Sequence, residues 1–177
     1  MEENTALDCC FTRDQKWFRY RAAAIIIEDN CVLLASNEKA DYYYSVGGGV
    51  HLGETAEEAA IREVYEETGI KYEVDRLVFI HENFFTGNGI FEGLQCHETA
   101  FYFLMKSRGT QKLDSNSYCL EGREFMNWIP IDNLKKLKVF PVFFKEKLTK
   151  ISDNIEHIIT KEEYTWYEKI NNTDWPL

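Results

Sequence analysis

Apolar residues fall in short runs along this chain, and the spacing within each run predicts an element. Residues 19–27 (RYRAAAIII) read as a buried strand, and the turn Glu28-Asp29-Asn30 sends residues 31–35 (CVLLA) back as its hairpin partner. A loop over 37–41 leads to a third strand at 42–46. Residues 72–85 are rich in β-branched and aromatic side chains and predict a long strand. Gly87-Asn88-Gly89 marks a turn, and residues 98–105 (ETAFYFLM) form the antiparallel partner. Residues 106–122 are polar and read as irregular, 125–129 as a short strand and 132–138 as a short helix. Pro141 opens a final helix with its body at 142–151, and residues 157–160 make a last short strand. Residues 1–17 are polar with scattered aromatics and predict no definite element.

Between the third and fourth strands the period changes to that of a helix. Thr55 followed by Glu58 is a capping box, which starts the helix at about Ala56, and Gly69 closes it. Ala56, Ala60 and Val64 are spaced to pack it on a sheet. Strands flanking one central helix, with further helices late in the chain, predict an α/β fold: an α/β/α sandwich with a central mixed β-sheet. The expected division is an N-terminal segment at 1–18, a main domain at 19–152 and a C-terminal tail at 153–177 packed on the same domain.

The glutamates of this helix carry the chemistry. Glu67 lies roughly 40° from Glu63 around the axis, and Glu66 about 60° to the other side. Three carboxylates on one narrow face repel one another, and a divalent cation relieves the repulsion; clustered oxygen ligands suit Mg²⁺ or Mn²⁺. Arg62 and Glu54 can pair with these acids and fix their rotamers. The plain alternative is a solvated acidic helix face.

The full pattern decides between the two. It runs Gly48, five residues, Glu54, seven residues, Arg62-Glu63-Val64, one residue, Glu66-Glu67, one residue, Gly69-Ile70. With roughly one chance in fifteen at each of seven fixed positions, a random start matches about once in 10⁸. The stretch resembles the Nudix box of the Nudix hydrolases at every fixed position, which implies a Nudix-like, MutT-like fold and a loop–helix–loop holding metal against a diphosphate. The resemblance assigns metal binding to Glu63, Glu66, Glu67 and the Gly47 carbonyl, with one glutamate available as the base. It makes Arg62 and Glu54 an orienting pair. Many members have proline where this chain has Val46. Several members draw a further acid from outside the box, for which Glu98, Glu121 and Glu124 are the candidates here, a solvated surface position being the plainer reading of each; Glu121 and Glu124 are favoured among them because they precede a late strand.

Composition narrows the partners. The chain has 177 residues, 45% of them hydrophobic, enough for one domain with a sizeable core. A formal net charge of −10 argues against a nucleic-acid backbone, though not against a small nucleotide arriving with its metal. The acidic start lacks the apolar core of a signal peptide, and the longest apolar stretch, 22–27, is too short to span a membrane. Five cysteines at irregular spacing, Cys9, Cys10, Cys31, Cys96 and Cys119, suit reduced thiols in the cytoplasm; a zinc site joining Cys9, Cys10 and His97 is the minor alternative. Arg19 and Arg21 are candidates for substrate phosphate. Tyr42, Tyr44, Phe84, Phe85, Phe91 and Phe140 are candidates to stack a base, with Phe84 and Phe140 foremost, while His51 reads as local packing.

The expected function is metal-dependent hydrolysis of the diphosphate linkage in a nucleoside diphosphate joined to another moiety. The alternatives are a pyrophosphohydrolase of damaged nucleoside triphosphates and a catalytically silent nucleotide sensor. RNA end processing is disfavoured by the acidic charge. The family resemblance also implies that a homodimer is an open option.

Overall fold

Among the described residues, two mixed sheets of six strands each meet where the first long strand ends. The structure, a computed structural model, describes residues 6–119 and 122–162, so Glu121 lies outside the described residues. The first sheet takes β1 (Cys10–Arg13), β2 (Lys16–Ile25), β6 (Gly47–Gly49), β7 (Val74–Thr86), β8 (Gln95–Met105) and β12 (Glu156–Lys161). The second takes β3 (Ile27–Glu28), β4 (Cys31–Asn37), β5 (Tyr43–Ser45), β9 (Tyr118–Cys119), β10 (Gly122–Pro130) and β11 (Val139–Phe140). The helices are α1 (Ala56–Thr68) and the single turn α2 (Phe144–Lys147), with 3₁₀ turns at Gly89–Phe91 and Ile131–Lys136.

The order of the first sheet is β1-β2-β8-β7-β12. The β2/β8 and β7/β12 ladders are parallel, whereas β1/β2 and β7/β8 are antiparallel. β8 covers the whole length of β2 on one side, so β1 and β6 share the other: β1 pairs with Lys16–Arg19, and β6 with Arg21, Ala22 and Ala23. The glycine run of the box is thereby a rung of the central sheet.

Alternation along β2 builds the core on both faces. Ala22 and Ala24 face α1, where they meet Val50, Ala59, Ala60, Val64 and Phe103. Ala23 and Ile25 face the opposite way, towards Leu34, Phe79, Tyr102, Leu134 and Phe144. With α1 on one face and the 3₁₀ turn and α2 on the other, the layers are α/β/α. The alanine run keeps side chains short on both faces of the strand, so that both layers approach closely.

α1 forms as its caps dictate. Thr55 is extended and its hydroxyl accepts from the Glu58 N–H, while the Glu58 carboxylate accepts from the Thr55 N–H; Gly69 takes the left-handed conformation, φ 70°. Val46, standing where proline is common, is fully buried among the residues that face α1.

The structure corrects three expectations. β2 does not pair with residues 31–35: the chain leaves the first sheet at Ile26, and the hairpin across Asp29 and Asn30, both at positive φ, joins β3 to β4 in the second. The helix expected at 142–151 is one turn, Phe144–Lys147, beyond which the Thr149 hydroxyl donates to Glu146 O at 2.6 Å. The helix expected at 132–138 is 3₁₀. Among the described residues Cys9, Cys10, Cys31 and Cys96 are free thiols, and no helix is long and apolar enough to cross a membrane.

Candidate active site

The glycine run and α1 are held face to face by carboxylates. The Gly47 N–H donates to Glu67 Oε1 at 2.8 Å. The Glu63 carboxylate lies directly on Gly48: a Cβ there would stand 2.5 Å from Glu63 Oε1, so any side chain at this position would displace the acid. Arg62 ties the arrangement together. Its Nε and Nη2 donate to the two oxygens of Glu54, both at 2.9 Å; Nη2 also donates to Gly49 O at 2.9 Å. Its Nη1 reaches Glu63 Oε1 at 2.5 Å and Glu66 Oε2 at 3.2 Å. One planar guanidinium thus fixes two carboxylates and a carbonyl and steadies a third acid.

Electrostatics separate the three glutamates. Burial pushes the Glu67 carboxyl up to about 8, and neighbouring Glu124 pushes in the same direction. Burial also raises Glu63, outweighing the pull of Arg62. Glu54 is held below the ordinary carboxylate range by its bonds to Arg62. Glu66 points outward with its side chain 55% exposed.

Of the acids expected from outside the box, Glu124 is brought to the site and Glu98 is not. Glu124, on β10, is buried; it accepts from Tyr44 Oη at 2.5 Å and from Ser117 Oγ at 2.7 Å. Ser115, in the same loop as Ser117, donates to Glu67 O at 2.6 Å, which docks that loop on the end of α1. Glu98 lies on β8, paired with Arg19 and buried. Arg19 and Arg21 hold the acid and the backbone: Arg19 Nε donates to Glu98 at 2.9 Å, and Arg21 Nη2 donates to Ser45 O at 2.8 Å and Gly47 O at 2.9 Å.

The aromatic candidates divide in the same way. Tyr44, Tyr42 and exposed Phe140 form a row leading away from Glu124, with ring centroids 6.0 Å and 5.2 Å apart. Phe84 stacks on His97 at 4.2 Å on the β7/β8 ladder, and Phe91 packs on Trp17. His51 is placed between Asp8 and Glu54.

Among the described residues, no group of three or more His, Cys, Asp or Glu side chains is already gathered around one point. Arg62 lies between Glu63 and Glu66, and Glu67 is turned to the Gly47 N–H. The donors nonetheless suit a hard cation: they are all oxygens, and Glu67 Oε2 is buried without a hydrogen-bond partner among the described residues. Asp8, Tyr44 as an anchor of Glu124, and Ser117 escaped the sequence reading. Nothing in their local sequence signals a role, since each is placed by contacts far along the chain.

A NUDIX domain model matches residues 17–148. Diphosphoinositol polyphosphate phosphohydrolase 2 of Mus musculus is 40% identical over 76 residues, 41% of this chain and 42% of that protein, so the chain spans less than half the length of this curated relative. A MutT protein from Bacillus halodurans superposes with a TM-score of 0.58 at 20% identity, covering 81% of this chain and 90% of the other. An ADP-ribose pyrophosphatase from Streptococcus suis gives 0.52 at 14% identity, covering 80% and 98%. At these identities both structures share the fold with this chain.

Proposed function

The chain is a member of the Nudix family, whose domain model spans residues 17–148, and from that membership we propose a metal-dependent pyrophosphohydrolase acting on a nucleoside diphosphate joined to another moiety. The observation that carries this reading is the Glu67 carboxylate: one oxygen is held by Gly47, and the other is buried, beside Glu124 and unpaired among the described residues. A buried carboxylate oxygen without a donor is costly, and a bound cation removes the cost.

Glu63, Glu66, Glu67 and the Gly47 carbonyl would hold Mg²⁺ or Mn²⁺. When bound, the cation neutralises charge on the phosphate oxygens and lowers the pKa of a coordinated water. The chain's own groups orient and receive. Arg62 fixes Glu63 against Gly48, and Glu54 fixes Arg62. Glu124, fixed by Tyr44 and Ser117, is an acceptor beside Glu67 for a proton leaving the attacking water.

The relative named above is a diphosphoinositol polyphosphate phosphohydrolase, which raises the question of substrate charge. Arg19 is engaged by Glu98 and Arg21 by two carbonyls, and the chain carries a formal net charge of −10. A substrate with many phosphates needs cations that these two arginines do not offer. The row Tyr44–Tyr42–Phe140 instead favours a diphosphate with a stackable base.

The test is a phosphate-release screen with Mg²⁺ or Mn²⁺ and product identification, over ADP-ribose, nucleotide sugars, dinucleoside polyphosphates, oxidised nucleoside triphosphates and a diphosphoinositol polyphosphate. The expected products are a nucleoside monophosphate and the phosphorylated remainder. Cleavage of the inositol substrate alone would overturn the nucleotide assignment. No cleavage by folded, metal-binding protein would overturn the hydrolase.

A further inference from the structure

Residues 7–9 run beside the box loop as an added strand-like segment. The Leu52 N–H donates to Leu7 O at 2.7 Å, the Cys9 N–H to Val50 O at 2.8 Å and the Tyr20 N–H to Cys9 O at 3.0 Å; Asp8 and His51 form an antiparallel bridge. With the backbone fixed on both sides of it, the Asp8 carboxylate rests on Gly49, where a Cβ would stand 3.0 Å from Asp8 Oδ2.

From there a path of polar groups enters the site. Asp8 Oδ1 lies 3.4 Å from His51 Nε2, and His51 Nδ1 lies 3.8 Å from Glu54 Oε2, which also accepts the His51 backbone N–H at 3.0 Å. Glu54 holds Arg62, and Arg62 holds Glu63 and Glu66. An ordinary surface ion pair contributes little, because water screens it and its side chains are free to move. Asp8 differs: its backbone neighbours are bonded to the loop, its carboxylate fills space that glycine leaves open, and its partner touches the Glu54–Arg62 clamp.

We infer that Asp8 is a positioning residue of the active site, acting through His51 to hold Glu54 and Arg62 and thereby the carboxylates of Glu63 and Glu66. The segment ahead of β1 is then part of the site. This inference rests on the reading that those carboxylates bind a divalent cation.

The experiment is a Mn²⁺ titration of the full chain followed by electron paramagnetic resonance, with kcat, KM and Tm measured alongside. Asp8→Asn and Gly49→Ala are each expected to weaken Mn²⁺ binding about tenfold with Tm unchanged, the lower end of the effect of loosening groups behind the ligands. Any turnover should lose kcat rather than KM. Asp8→Asn combined with His51→Gln should bind no more weakly than His51→Gln alone, because both break one path. Unchanged affinity in Asp8→Asn, additive losses in the double variant, or a loss that tracks a falling Tm would each overturn the inference. A wild type that binds Mn²⁺ but cleaves no diphosphate would remove the hydrolase reading while the titration still judged Asp8. A wild type that binds no Mn²⁺ would overturn both.

Discussion

Gly47 and Glu67, 20 positions apart, meet through a hydrogen bond of 2.8 Å from the backbone N–H of one to Oε1 of the other. That single contact joins the edge of the central sheet to the last turn of α1. It satisfies only half of the carboxylate, since among the described residues Oε2 has no donor and Glu124 lies close by. Stability and chemistry therefore oppose each other at Glu67, and the opposition can be measured.

Glu67 binds its proton more tightly folded, at about 8, than unfolded, near 4.5. Its contribution is fully present below pH 4.5 and is lost as pH rises through 8. The loss amounts to about 1.4 kcal/mol per unit at most, and to no more than about 5 kcal/mol in all. Glu67→Gln keeps an acceptor for Gly47 and does not titrate, so without metal it should be more stable than wild type at pH 8, with the advantage fading towards pH 4.5. Denaturant melts at several pH values, with EDTA and with Mg²⁺, read this directly. Mg²⁺ should stabilise wild type and leave the variant unmoved.

Glu66 is half in solvent and bonded only to Arg62 among the contacts described above. Glu66→Gln should leave Tm unchanged and lower kcat on the order of 100-fold, as loss of a preorganised charged group at a reacting centre does. An unchanged rate would remove Glu66 from the site.

Val64 is fully buried against Ala22, Ala24 and Phe103. Val64→Asp places a charge there with no partner, at a cost of roughly 3 kcal/mol or more. A large drop in Tm, or insoluble protein, is expected. A Tm equal to wild type would mean that α1 packs by another face.

His81, buried with Nε2 at 2.9 Å from Thr160 Oγ1 and its ring against Phe143, has its pKa pushed by burial from 6.5 down to about 4. Below pH 6.5 the unfolded chain takes up a proton that the folded one refuses. His81 alone should cost stability as pH drops from 6.5 to 4, by about 3 kcal/mol at most, against the gain that Glu67 brings over the upper part of the same range. In His81→Phe that contribution should disappear, so the variant should gain more stability than wild type as pH falls from 6.5 to 4.5, while the slope below pH 4.5 from carboxylates such as Glu28, held low against its burial by bonds from Ser107, Arg108 and Gly109, should persist. Identical slopes above pH 4.5 in the two proteins would show that His81 titrates normally.

What the sequence disclosed follows the range of the forces involved. α1 was legible because its capping box, closing glycine and glutamate spacing all lie within the helix and its two ends. The Glu54–Arg62 pair was legible for the same reason. The partner of β2 was not, since a strand's pattern shows that it is buried and not what lies beside it; β8 lies about 80 positions on, and the nearer residues 31–35 went to another sheet. Glu124 could be suspected from its place before a late strand, but its anchors, Tyr44 and Ser117, are made by the fold. Arg19 looked ready for phosphate until β2 and β8 came into register and set Glu98 opposite it.

The order of strands in the first sheet also fixes a timetable. Arg19 meets Glu98 and His81 meets Thr160 across 79 positions each, so one neighbour of β2, β8, and one neighbour of β7, β12, are synthesised long after them. While the chain emerges from the ribosome, α1 can form and melt on its own caps, but at 13 residues it is too short to persist without the surface it packs on. That surface is incomplete until β8 has emerged, and β7 keeps an open edge until Lys161 follows. The chain must therefore carry unpaired strand edges until about residue 161 has been made, and long-range pairing of this kind is slow to form and exposes the nascent chain to misassembly.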